Sequence, residues 1–306
     1  MVDELKGNGV AVENDGAVCV FVPKQKVPLI IQKSDGGFNY DTTDMAALRY
    51  RVHTQHANRI VYVTDKGQEF HFKLVFAGGE KAQFYNPAKV TLNHMMFGTV
   101  MSENLVVDEA TGQTKKKIEK MKTRSGDTVK LAELLDESKT RAMAIFEARL
   151  ARQAETAGAG EDGLNSQKVQ VDPAKLEETA EILGISSIKY FDLKQNRIND
   201  YVFDFDRMLD PEGDTGVYLL YQYVRICSII EKSQFGSPEA LASIRETEVF
   251  SISDPKEREL ALTVLRLPEQ LDLAINDLQI NRICELVYDI AVKIGQYYSA
   301  VRVTGT

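Results

Sequence analysis

The 306 residues contain no tryptophan, three cysteines and four histidines. The missing tryptophan excludes nothing. The cysteines, Cys19, Cys227 and Cys284, are far apart and odd in number. They form no CxxC pair, so neither a disulfide framework nor a zinc site is implied, and no protein metal ligands are expected. A reducing, cytoplasmic setting is the default for such cysteine usage. No run of about 18 apolar residues occurs, which excludes a membrane-spanning helix. The opening "MVDELKGNGV" lacks the basic stretch and apolar core of a secretion signal. The formal net charge of −8 argues against a general nucleic-acid coat but leaves room for one local basic face. No period of about 20–50 residues repeats, so a solenoid is excluded.

What is present resembles an average globular chain, 43% hydrophobic and 27% charged, long enough for about two domains. The first 100 or so residues alternate between strand and helix patterns. "GAVCVFV" (Gly16–Val22) and "VPLIIQKSDGG" (Val27–Gly37) read as strands. "DTTDMAALRYRVHTQH" (Asp41–His56) reads as a capped helix with Met45, Leu48 and Val52 at helical spacing. "RIVYVTD" (Arg59–Asp65) is a near-continuous apolar run, as in a parallel strand covered on both faces. "GQEFHFKLVFAGG" (Gly67–Gly79) follows as a helix with Phe70, Leu74 and Phe76 inward, ending at Gly78, and Ala88–Met101 as one more strand. This order predicts a parallel sheet, with ligands at the carboxyl ends of its strands.

Beyond residue 125 the chain turns helical. Val129–Ala157 is periodic, Gly158–Gln167 is a polar loop, and Asp172–Ile185 carries a cap, an N1 proline and a terminal glycine. Four or five helices follow from Thr215. The coarse picture is a partial α/β domain, a helical connector and an all-helical domain. Between the first two lies "KMKTRSGDTVKL" (Lys120–Leu131), a cationic, hydroxyl-rich loop in an acidic protein. It reads either as a solvated turn or as an anion site. "TKKKIEK" (Thr114–Lys120) reads as a solvated stretch.

Several stretches in order resemble arginyl-tRNA synthetase, a class I aminoacyl-tRNA synthetase: "PLIIQKSDGGFNYDTTDMAALRYR", "YVTDKGQEFHF", "NHMMFGTV", "MKTRSGDTVKLAELLDE" and "IKYFDLKQNRINDYVFDFDRML". The resemblance covers nearly the whole chain. It implies the C-terminal half of a Rossmann-type catalytic α/β domain over 1–110, a catalytic loop and helical connector over 111–210, and an anticodon-binding helical bundle over 211–306. It also implies an enzyme truncated at both ends. The four histidines, His53, His56, His71 and His94, lie in no HxGH context, the signature of the family's first nucleotide-binding half. The chain alone is therefore expected to be inactive, and a complementary N-terminal segment is one expected partner.

The resemblance assigns roles residue by residue. Tyr40, Asp44 and Gln68 match the residues that hold arginine. An always-charged planar guanidinium needs a carboxylate and further acceptors in fixed geometry. By spacing alone, Asp44 is equally a helix-start charge, Tyr40 a packing aromatic and Gln68 a cap. His94, Met96, Phe97 and Gly98 match the adenine-holding stretch, with His71 facing the same crevice. Lys122, Thr123, Arg124 and Ser125 match a degenerate KMSKS-type loop that stabilises charge on the leaving pyrophosphate. Asn196 and Arg197 match a tRNA-contacting segment. The implied activity is ATP-dependent formation of arginyl-adenylate, then transfer of arginine to the 3′ end of its tRNA. Mg2+ is expected to accompany ATP on phosphate and water, and the full enzyme is expected to be monomeric. The alternative is a non-catalytic tRNA-binding module or a split subunit derived from that enzyme.

Overall fold

A computed structural model describes residues 1–23, 25–107, 113–121, 129–158, 172–233, 237, 239–240, 242–243 and 252–301, with the backbone alone at 106, 107 and 152–158. The chain divides into two compact units, Met1–Thr99 and Val100–Thr306.

The first unit runs α1 (Val2–Gly7), β1 (Val12–Asn14), β2 (Ala17–Val20), β3 (Leu29–Gln32), α2 (Tyr40–His53), β4 (Arg59–Asp65), α3 (Glu69–Lys81) and β5 (Thr91–Phe97). The expected parallel pairing is found between β4 and β5, in register from Arg59 opposite Thr91 to Asp65 opposite Phe97. The first three strands depart from it and pair antiparallel in the order β1-β2-β3. Connection length is the reason. Asp15 and Gly16, both at positive φ, make the two-residue turn for which Asp-Gly is suited. The segment Phe21–Pro28 is shorter than the dozen or so residues a parallel crossover needs.

One core joins both sheets to α2 and α3: Val18, Val20, Leu29, Ile31, Met45, Leu48, Ile60, Tyr62, Phe72, Leu74 and Val75 are buried together. On β4 only Ile60 and Tyr62 face this core. Val61 and Val63 are 38% and 59% exposed, so the strand is not covered on both faces. On α3 Phe72, Leu74 and Val75 are buried and Phe76 is half-buried against this core, as expected for Leu74 and Phe76, whereas Phe70 is 47% exposed. The helix does not end at Gly78 but runs to Lys81. A Cβ on Gly78 would lie 3.0 Å from Leu29 Cδ2, and one on Gly79 only 2.4 Å from Leu48 Cδ2. These glycines let α3 approach β3 and α2; they do not stop the helix.

The second unit contains β6 (Val100–Val107), β7 (Thr114–Lys120), α4 (Leu131–Gly158), α5 (Pro173–Leu193), β8 (Tyr201–Val202), α6 (Phe205–Met208), α7 (Gly216–Lys232), α8 (Pro255–Leu265), α9 (Leu267–Asp277) and α10 (Asn281–Ala300). "TKKKIEK" is β7, paired antiparallel with β6 and supported by a 2.6 Å Lys116–Glu103 bridge. The stretch expected as one strand, Ala88–Met101, is β5 and the start of β6. Asp172 caps α5 through Ala174 N, with Pro173 in the first turn, as its sequence predicts. Gly184 does not terminate it. A Cβ there would lie 2.9 Å from Lys139 N, and Ser138 Oγ donates to Gly184 O at 2.9 Å, so this glycine marks the crossing with α4. Gly216 does the same on α7, 3.0 Å from Ser187 Cα. Of the loop expected at Gly158–Gln167, all but the first residue lies outside the described residues.

Candidate active site

The site is built from helix starts and strand ends of the first unit. Asn39 caps α2: its Oδ1 accepts from Thr42 N, and its own N–H donates to Thr42 Oγ1, both at 3.3 Å. The same turn reaches the neighbouring strand. Thr42 Oγ1 donates to Ile31 O at 2.7 Å, and Asp41 Oδ2 accepts from Ile30 N at 3.0 Å. Outward-facing groups of β3 are thus satisfied by the first turn of α2, which fixes where that turn sits. One turn on, Asp44 Oδ2 lies 2.7 Å from His71 Nε2 on α3. Asp41 Oδ1 lies 3.1 Å from the other ring nitrogen, Nδ1. The His71 ring meets Phe72 edge-on at 5.0 Å.

A second group lies at the carboxyl ends of β4 and β5. Asp65 Oδ1 accepts from Gly67 N at 2.9 Å and Oδ2 from Gln68 Nε2 at 3.0 Å. These bonds, Gln68's foremost, hold the Asp65 carboxyl below the usual carboxylate range. His94 Nε2 and Thr64 Oγ1 are 2.7 Å apart across the parallel pair, and the His94 ring lies 4.8 Å from Phe72. Phe72 therefore touches both histidines.

Of the residues singled out in the sequence, Asp44 and His71 come into contact. Tyr40, one turn before Asp44, is 84% exposed, so it is not a packing aromatic. Gln68 precedes α3 but makes no side-chain cap; its amide goes to Asp65. Met96 and Gly98 are half-buried and Phe97 is exposed, at the end of β5. Lys122, Thr123, Arg124 and Ser125 lie outside the described residues. In the second unit Arg197 Nε donates to Leu278 O at 3.2 Å, where Leu278 holds a positive φ of 58° after α9. Burial pulls the Arg197 pKa below its usual value. Asn196 Oδ1 accepts from Ile198 N, closing its own turn. Sequence reasoning missed Asp41 and Thr64. Asp41 was findable, because residues three apart share a helix face and "YDTTD" puts two carboxylates there.

Residues 1–205 match the family described as tRNA synthetases class I (R), catalytic domain. The chain belongs to the class I arginyl-tRNA synthetase family. Residues 219–306 match the DALR anticodon binding domain, which accounts for the helices from α7 onward. Among the relatives, the arginine–tRNA ligase of Synechococcus elongatus is 39% identical over 306 residues, covering 97% of this chain and 46% of its own length. The chloroplastic/mitochondrial arginine–tRNA ligase of Arabidopsis thaliana is 36% identical, covering all of this chain and 43% of its own. The chain thus spans about half the length of the curated relatives it matches. The arginyl-tRNA synthetase structure from Plasmodium falciparum superposes with TM-score 0.75 at 31% identity, over 99% of this chain and 45% of that one. Among the described residues, no group of three or more His, Cys, Asp or Glu side chains is placed to hold a metal ion. Nor is any described helix long and apolar enough to cross a membrane.

Proposed function

We propose that this chain is the portion of an arginine–tRNA ligase that holds arginine, carries the pyrophosphate loop and reads the tRNA. The supporting observation is the Asp44 carboxylate. It is fixed near the start of α2, one turn past Tyr40, with one oxygen on His71. A carboxylate held this way meets a guanidinium with a charge-assisted hydrogen bond, and a site built for such bonds rejects analogues that leave its polar groups unpaired. Tyr40 and Gln68 complete the arginine site; Gln68 reaches it by releasing or sharing its bond to Asp65. His94, Met96, Phe97 and Gly98 take the adenine. Lys122, Thr123, Arg124 and Ser125 stabilise charge on the pyrophosphate as the arginine carboxylate attacks the α-phosphorus. Mg2+ enters with ATP on phosphate oxygens and water. Asn196 and Arg197 lie on the tRNA side, and the protein works in the cytoplasm. The functional division is 1–110, 111–210 and 211–306, as the sequence implied.

A second reading is a non-catalytic tRNA-binding module or a subunit completed by a segment carrying HxGH, a signature these 306 residues do not include. Charging of unfractionated tRNA with labelled amino acids separates the readings. The chain should charge nothing alone and arginine only when a separately expressed HxGH segment of the S. elongatus relative is added. Charging of another amino acid would overturn the arginine assignment. Tight tRNA binding with no L-arginine binding in calorimetry would favour the non-catalytic module.

A further inference from the structure

Resting on the reading of Asp44 as the partner of arginine, we propose that His71 is a positioning residue. It locks Asp41 and Asp44 into one guanidinium-binding cluster of net charge −1, and it is not an ATP contact. The His71 ring lies between two carboxylates on one face of α2, with Nδ1 3.1 Å from Asp41 Oδ1 and Nε2 2.7 Å from Asp44 Oδ2. A neutral imidazole has one N–H and one lone pair, so it satisfies one carboxylate and repels the other. Nε2 hydrogen-bonds Asp44, and Nδ1 makes an ion-pair contact with Asp41; both are attractive only when both nitrogens carry protons. Unbridged, two carboxylates three residues apart on a helix repel and drift. Bridged by an imidazolium, they sum to −1, which matches the single charge of a guanidinium.

The bond inventory points the same way. Asp41 Oδ2 accepts from Ile30 N, and its Oδ1 faces His71 Nδ1 at 3.1 Å. Asp44 Oδ2 is on His71, and among the described residues Asp44 Oδ1 accepts from none, which leaves it for the ligand. Among the described residues, the charged groups recorded against the ring are these two carboxylates from α2. On the β5 side its neighbour Phe72 separates it from His94. His71 thus acts through Asp44: it sets the carboxylate angle and keeps the cluster from holding a second cation.

The test uses the 306-residue chain. L-Arginine and ATP are titrated calorimetrically into wild type, His71→Ala and His71→Gln, and ring-15N-histidine spectra are recorded on wild type with and without L-arginine. Wild type that binds no L-arginine overturns the underlying arginine reading, whatever His71 does. With wild-type binding in hand, His71→Ala should weaken L-arginine by about tenfold or more, the range for loss of a charge-assisted hydrogen bond. His71→Gln, which can still donate to one carboxylate, should recover part of this, and ATP should be unaffected. The spectra should show both His71 nitrogens protonated and both shifted by L-arginine. Unchanged L-arginine affinity in His71→Ala, or a loss confined to ATP, overturns the proposal. So does a wild-type spectrum with one protonated and one bare nitrogen, which decides the matter even if His71→Ala does not fold.

Discussion

Replacing Gly184 by alanine sets two effects of opposite sign against each other. On an exposed helix the change should stabilise by about 0.8–1 kcal/mol, because alanine is the better helix former. At Gly184 the new methyl would stand 2.9 Å from both Lys139 N and Ser138 C, and 3.0 Å from Ser138 O. Those are backbone atoms, which no rotamer change can move aside. Relief requires α5 to slide off α4, stretching the bond from Ser138 Oγ to Gly184 O. Overpacking costs about 1–3 kcal/mol and loss of the hydrogen bond about 0.5–1.5 kcal/mol. The net effect is destabilisation of about 2 kcal/mol. For a unit the size of Val100–Thr306 this lowers the melting temperature by about 4–8 °C. Gly295→Ala is the matched comparison. Its methyl would meet only side-chain ends, Gln222 Nε2 at 3.3 Å and Tyr218 OH at 3.5 Å. That variant should be neutral or gain up to about 1 kcal/mol. Thermal and urea unfolding of both variants provide the measurement. A Gly184→Ala protein as stable as wild type would refute the close α4–α5 crossing and return Gly184 to the role of a helix stop.

Asp41→Ala removes the acceptor for Ile30 N and one partner of His71, so it should lower stability of the first unit by about 1–3 kcal/mol, read by urea unfolding. Stability should also fall in strong alkali. Burial first, with Asp214 beside Tyr190 and Asp192 beside Tyr201, raises both phenol pKa values above the ordinary one near 10. The unfolded chain then ionises while the folded chain does not, so this contribution is complete below about pH 10 and lost as pH rises above it. Tyr190→Phe/Tyr201→Phe should show a flatter decline in the same unfolding series. In an enzyme completed with the HxGH half, Lys122→Ala and Arg124→Ala should slow adenylate formation by about 10–1000-fold and leave tRNA affinity little changed, measured by rapid-quench kinetics beside a binding titration.

Much of the fold was legible because its causes are local. The β4 run, the capped start of α2 and the Asp172–Pro173 start of α5 are written in adjacent residues. The glycines misled because sequence shows only the missing side chain, not the neighbour that needs the space. Gly78 and Gly184 read as stops, and both, like Gly79, are close approaches. The antiparallel hairpin was signalled by Asp15–Gly16 and hidden by the expectation of strand-helix alternation. Spacing alone left Asp44 as either a helix-start charge or a ligand carboxylate, and its contact with His71 joins two helices through residues 27 apart in sequence. No local pattern encodes that.

The central claim is that Asp44 pairs with the guanidinium of arginine. Calorimetric titration of L-arginine into the wild-type chain and into Asp44→Asn tests it most directly. Asparagine keeps the size and removes the charge. The loss should be about 1.5–3 kcal/mol, a weakening of roughly 10- to 150-fold, with ATP affinity unchanged. An L-arginine affinity within about twofold of wild type, under roughly 0.4 kcal/mol, would make Asp44 a helix-start charge and contradict the account.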